Sequence, residues 1–308
     1  MTLAHTLKYA FLVTLPMMLL GLSACQPLPD SLQQQREFVT SHLMDNPAYQ
    51  HHHLHHGQFD LHYVTRGTPN LGVVVWVHGT PGSWTDAAYL IADESLTADF
   101  LFVSLDRPGW GNSQYQDQPR PVPSMFEQVE LISPLLAQLK REHPELPLIL
   151  VGHSWGASLA PMLYEALPDD IDALMLLAGV HSQSLGAPRW YNRLASWQLS
   201  RWVMSYSNIG RELSHSNLEM YALQPGLADS PARLAQIDVP TIVIQGDTDS
   251  LVDPRQGEYV YQYLPEDKRH FLYLHNQGHL LQMERAPLLI RCIEALQRQQ
   301  FSLCEEQQ

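Results

Sequence analysis

Six short runs of the chain are apolar almost without interruption, four of them with β-branched residues: LGVVVWVHG (71–79), FLFVSLD (100–106), PLILVGH (147–153), ALMLLAG (173–179), TIVIQG (241–246) and HFLYLH (270–275). A strand with one solvated face alternates apolar and polar positions. Unbroken runs of this length need cover on both faces, as in a parallel sheet. Segments of helical length separate them, notably 123–143 and 158–168, with a last helix from about Ala286 to Gln299. Alternating strand and helix gives right-handed βαβ crossovers, so the pattern predicts an α/β fold, a doubly wound and mostly parallel sheet with helices on both faces.

The rhythm breaks once. Residues 181–238 show helical but no strand patterns and contain Trp190, Trp197 and Trp202, which predicts an inserted helical cap between two parts of one core, 50–180 and 239–308. Ahead of the core, YQHHHLHHGQFDLHYVTRG (49–67) predicts two strands about a turn at His56-Gly57, with Phe59, Leu61 and Tyr63 alternating onto one face. Residues 25–49 are polar and predict a tether with a short helix around Leu32 to Met44.

Residues 1–24 have the pattern of an export leader: Lys8 precedes the apolar run AFLVTLPMMLLGL, too short for a confident membrane span. The run ends in LSAC, which resembles the lipobox of bacterial lipoproteins. That resemblance implies cleavage behind Ala24, a diacyl Cys25 lipidated on sulfur, with palmitate as an acyl group, and a chain exported and lipid-anchored to a membrane of the cell envelope. With Gln26 following, the outer membrane is implied if the host is Gram-negative. A plain signal peptide cut near the same alanine is the simpler alternative.

The net charge of −14 argues against nucleic acid as a partner, because a surface of that sign is repelled by phosphate backbones, as it is by anionic headgroups. Besides Cys25 the cysteines are Cys292 and Cys304, which an oxidising compartment could bridge or leave as thiols; spacing alone does not decide. Five histidines in 51–56 invite a metal site, and His51, His53 and His55 would share a face of a strand. No acidic or cysteine ligand accompanies them in the run, so a solvated edge is expected and no metal or organic cofactor is assigned.

In an open parallel sheet the active site lies outside the carboxyl ends of the strands. GHSWG at 152–156 fits G-x-S-x-G, in which the glycines allow a sharp strand-to-helix turn that lifts Ser154 clear of the sheet. A serine hydroxyl needs a base, and the base needs an orienting carboxylate. His279 in QGHLLQMERAP is the candidate base, with His275 as runner-up and His153 structural; Asp249 in GDTDSLVDP is the candidate acid, with Asp247 closing the turn. Backbone N–H groups of Trp155 and Thr80 would form the oxyanion hole, since Pro81 in HGTPG has no N–H. His78 and Asp106 fit loop-organising roles.

HGTPGS, DRPGWGNS, GHSWGAS, GDTDSLVDP and QGHLLQMERAP, in this order, resemble the α/β-hydrolase superfamily over residues 57–299. The resemblance implies an eight-stranded, mostly parallel sheet, a lid after the sixth strand, and Ser154, Asp249 and His279 as nucleophile, acid and base. A serine at 154 disfavours the branches with a carboxylate nucleophile. The first expectation is a carboxylesterase, extending to thioesters or lactones. A second is a serine aminopeptidase resembling proline iminopeptidases, with Glu212 and Glu219 as positional candidates for binding an amine. A third is a lipoprotein binding module without activity, because fold alone never proves catalysis. In either enzyme the partner is a small-molecule ester or amide.

Overall fold

The computed structural model describes residues 30–305, so the leader and Cys25 lie outside the described residues. The strands are β1 (Gln50–His56), β2 (Phe59–Arg66), β3 (Gly72–Val77), β4 (Phe100–Leu105), β5 (Gln114–Tyr115), β6 (Leu148–His153), β7 (Ala173–Leu177), β8 (Thr241–Gly246) and β9 (Arg269–Leu274). They form one sheet in the order β1-β2-β4-β3-β6-β7-β8-β9. β1 and β2 pair as an antiparallel hairpin and β2 joins β4 antiparallel, while pairings from β4 through β3 to β9 are parallel.

The apolar runs become β3, β4, β6, β7, β8 and β9; both faces of the first five are covered, whereas β9 is the edge strand and leaves Tyr273 exposed. Val73, Val75 and Val77 of β3 enter one core cluster, and Val74 and Trp76 enter the cluster on the opposite face. Phe59, Leu61 and Tyr63 of β2 join the first of these.

β5 is a ninth strand beyond the eight expected. It has two residues, pairing Phe59 with Tyr115 and Asp60 with Gln114, and the Tyr115 ring stands edge-on to Phe59. Such a bridge is too short to leave a periodic signal.

The α-helices of six residues or more are α1 (Asp30–Phe38), α2 (Glu94–Asp99), α3 (Met125–Glu142), α4 (Trp155–Ala166), α5 (Trp190–Ala195), α6 (Gln198–Met204), α7 (Asn208–Gly226), α8 (Ser230–Ala235), α9 (Arg255–Tyr263) and α10 (Ala286–Arg298). α5 to α8 lie in the interval between β7 and β8. α1 runs into one wider helical turn at Val39–Leu43, within the helix expected near the start of the domain. Cys292 of α10 is bonded to Cys304, with Cα atoms 4.4 Å apart.

The histidines of β1 are not solvated singly. Antiparallel register puts Asp60 opposite His55 and His62 opposite His53. Asp60 then accepts from His53 Nδ1 at 2.9 Å and lies 3.1 Å from His55 Nδ1, so an acidic partner does accompany the run. His51 reaches the buried His62 at 3.0 Å. Among the described residues no group of three or more His, Cys, Asp or Glu is arranged to hold a metal ion.

Candidate active site

β6 ends at His153 and α4 begins at Trp155, leaving Ser154 alone in the turn at φ 54° and ψ −117°. A positive φ is strained for a residue with a Cβ. The Ser154 N–H donates to Leu177 O of the neighbouring strand at 2.8 Å, which anchors that conformation. The flanking glycines are needed for space: a Cβ on Gly152 would sit 2.5 Å from Gly156 O, and one on Gly156 would collide with Val77 O.

Asp249 follows β8 and is buried. Its Oδ1 accepts the N–H groups of Leu251 and Val252, both at 2.9 Å, and its Oδ2 accepts from Gln245 Nε2 at 3.2 Å and from His279 Nδ1 at 2.7 Å. Burial pushes the Asp249 carboxyl up, but the hydrogen bond and charge of His279 and the two backbone donors override it and hold it below its ordinary range. An ionised carboxylate only accepts, so the proton of His279 resides on Nδ1 and Nε2 is the ring's acceptor.

His153 is buried beside this pair. Its Nε2 is 2.9 Å from His279 O, its ring centroid is 4.9 Å from that of His279, and it stacks on Trp76. It therefore braces the loop that carries His279, a contact not foreseen from the sequence. His275 is exposed and pairs with Asp247 at 3.1 Å, away from Asp249.

The loop after β3 passes against the turn at Ser154: a Cβ on Gly79 would stand 3.0 Å from Ser154 Cβ and 3.5 Å from its Oγ. Thr80 is the next residue, and its peptide bond to Pro81 is cis. His78 holds this loop, with Nδ1 donating to Gly79 O at 2.7 Å and Nε2 accepting from Arg107 N–H at 2.9 Å. Asp106 organises the DRPGWGNS loop by accepting from Trp84 N–H, Asn112 N–H and His62.

Arg107 was not singled out in the sequence, yet it underlies both halves of the expected oxyanion hole. It is fully buried, donates to His78 O at 2.8 Å and Gly79 O at 2.7 Å, and lies 4.3 Å from the centre of the Trp155 ring. Its charge is balanced by Glu219 of α7, at 2.7 and 3.1 Å, which also accepts from Gln128 and from Trp110 Nε1. The Thr80 hydroxyl faces the same carboxylate and favours its ionised form, although its geometry falls short of a full hydrogen bond. Burial pushes the Glu219 carboxyl up, and the Arg107 guanidinium overcomes this and holds it below its usual value.

A groove of about 1500 Å³ opens beside the site. Pro81, Gly82 and Ser83 form part of its wall, with α1 and α7 residues around it; Ser154, Asp249 and His279 are not in that wall. Glu212 is exposed and lines the groove, whereas Glu219 does not.

Sheet order, a serine at the strand-to-helix turn and an Asp-His pair beyond the following strands define an α/β hydrolase. A family profile described as "Serine aminopeptidase, S33" matches residues 68–222, half of the chain, and the chain belongs to that family. It is similar in fold to the thioesterase domain from the curacin biosynthetic pathway (20% identity, 80% of this chain and 99% of that one, TM-score 0.60). It is also similar to 2-hydroxy-6-oxo-6-phenylhexa-2,4-dienoate hydrolase from Rhodococcus sp. strain RHA1 (19%, 81% and 99%, TM-score 0.60). The enol-lactonase from Burkholderia xenovorans is a third such structure (20%, 80% and 99%, TM-score 0.58). The protein is a hydrolase of the α/β-hydrolase type.

Proposed function

We propose that the protein cleaves carboxylic esters, with thioesters and lactones in the same class, through an acyl-serine intermediate. The observation that carries this reading is the buried Asp249–His279 hydrogen bond of 2.7 Å, formed beyond the same sheet edge as the strained Ser154. His279 Nε2 takes the Ser154 proton as Oγ attacks the acyl carbon, and Asp249 stabilises the imidazolium that results. The N–H groups of Thr80 and Trp155 receive the developing oxyanion, the latter at the positive end of α4. His279 then protonates the leaving alcohol or thiol, and a water molecule repeats the cycle to release the acid and regenerate the serine.

An aminopeptidase is the competing reading, favoured by the family's description. It needs an available carboxylate to pair with a substrate ammonium. Glu219 is already neutralised by Arg107, which leaves the exposed Glu212 of the two candidates for that role and favours an uncharged acyl substrate.

A fluorophosphonate probe should label the protein and p-nitrophenyl esters of short acids should be turned over, with both lost in Ser154→Ala while its thermal unfolding stays cooperative. Turnover by the variant at the parent rate contradicts the mechanism. Faster cleavage of amino-acyl amides than of matched esters would select the aminopeptidase.

A further inference from the structure

All seven tryptophans fall into two groups. Trp76, Trp84, Trp110 and Trp155 are core residues, at most 6% exposed, and the other three lie in α5, α6 and the link between them. There Trp197 is 64% and Trp202 59% exposed, and Tyr206, Ile209 and Leu213 follow at 52–71%. The Trp202 and Tyr206 rings touch, with centroids 5.0 Å apart, and Trp202, Ile209 and Leu213 wall the same groove as Leu32, Arg36 and Val39 of the N-terminal helical segment. Aromatic side chains with a polar edge, set among exposed aliphatics, are the composition of a surface that sits at a membrane–water boundary.

Charge separates this segment from the rest of the protein. The chain carries −14, yet residues 190–213 hold three arginines against a single glutamate. Screening confines the repulsion from the remaining acidic surface to about 10 Å, so an anionic bilayer in contact with this segment meets the segment's own net positive charge first.

Chain length supplies the third observation. Four residues separate Cys25 from Asp30, the start of α1, and the five Cα–Cα steps span at most roughly 17 Å. An acyl chain on Cys25 would therefore hold the start of α1 within that distance of the lipid, on the element that shares a groove with the apolar residues of α6 and α7.

We propose that the exposed surface formed by Trp197, Trp202, Tyr206, Ile209 and Leu213 rests in the headgroup region of a bilayer containing anionic lipid. The groove that Trp202, Ile209 and Leu213 wall then opens toward the lipid. The docking is independent of catalysis.

The test uses the full chain bound to vesicles of equal parts phosphatidylcholine and phosphatidylglycerol whose acyl chains carry bromine, a contact quencher of indole emission. Partial quenching is expected, with most of it lost in Trp197→Ser/Trp202→Ser, and reduced binding is expected for Arg193→Glu/Arg211→Glu. Quenching that is absent in the vesicle-bound parent, or unchanged in the double tryptophan variant, overturns the proposal. So does concentration-dependent dimerisation that shields Trp197 and Trp202 from iodide without lipid, which would assign the surface to a second copy. Membrane fractionation of Cys25→Ala reads the anchor separately, and ester turnover in detergent reads the catalytic assignment separately.

Discussion

Arg107 and Glu219 form a salt bridge in which both side chains are fully buried, 112 residues apart in sequence, joining the loop after β4 to α7. The guanidinium uses its remaining donors on His78 O, Gly79 O and Gln128, and His215, one turn before Glu219, stacks on Trp110 at 4.2 Å. The inserted helices are thereby tied to the backbone that presents Thr80. Removing one partner of such a pair leaves a buried charge without compensation and costs about 3 to 5 kcal/mol. Glu219→Gln should lower the melting temperature by roughly 6 to 15 °C and depress kcat more than it raises KM. The sign of the pH effect follows from the lowered carboxyl: its contribution is present above the ordinary value of 4.5 and is lost as pH falls through the lower folded value. The glutamine variant should lack that part of the acid-induced loss. Equal melting temperatures for both proteins would show that the pair does not carry the loop.

Ser154 holds a backbone conformation that glycine adopts freely, so catalytic geometry is maintained against local strain of about 1 to 3 kcal/mol. Ser154→Gly should abolish ester turnover and raise stability by on the order of 1 kcal/mol, the relief of strain being partly offset by the greater freedom of glycine in the unfolded chain. Urea unfolding at neutral pH measures this. A midpoint below that of the parent would mean that the Ser154 side chain contributes contacts worth more than the strain.

Which parts of the site were legible follows from where the signals lie. Ser154, Asp249 and His279 each follow an apolar run, the first two buried strands and the third the edge strand β9, and such runs mark parallel strands whose carboxyl ends converge. Glu219 had no comparable marker. The inner side of α7 buries His215, Asn217 and Glu219, so its packing face reads as polar and hydrophobic periodicity does not separate it from a solvated face. Arg107 was visible only as part of a loop motif, because its partners are carbonyl oxygens and a carboxylate from distant segments. The pairing of Asp60 with His53 and His55 depended on strand register, which the turn fixes and composition does not.

The bond between Cys292 and Cys304 spans 12 residues and closes the C-terminal turn onto α10. His270 of β9 contacts Cys304 O at 3.1 Å and stacks on Phe301, so the turn also covers the edge strand. A loop of this length restricts the unfolded chain by about 3 kcal/mol. Cys292→Ser/Cys304→Ser should melt several degrees below the parent, and dithiothreitol should lower the parent to the same point without changing the variant. If reduction leaves the parent's melting temperature unaltered, the turn is held by its packing alone.

Three of the buried histidines, His78, His153 and His181, weaken the fold in acid. Burial lowers His78 well below the ordinary 6.5, helped by the neighbouring Arg107 charge, and holds His153 and His181 at about 3, the former with a further contribution from His279. Each is neutral in the folded protein near pH 5, while in the unfolded chain each binds a proton below about 6.5. Unfolding therefore takes up protons, and stability is complete above 6.5 and declines as pH falls toward 3. Each group contributes up to a factor of ten in the folding constant per pH unit over that window. His181 isolates one of the three. Its Nε2 has no partner, and its backbone N–H bonds to Gln256 independently of the side chain, so His181→Leu leaves no donor or acceptor stranded. Urea midpoints between pH 7 and pH 5 should fall less steeply in His181→Leu, by the equivalent of one proton, with near-parent stability at pH 7. An unchanged slope would mean that His181 is already protonated, or is solvated, in the folded protein.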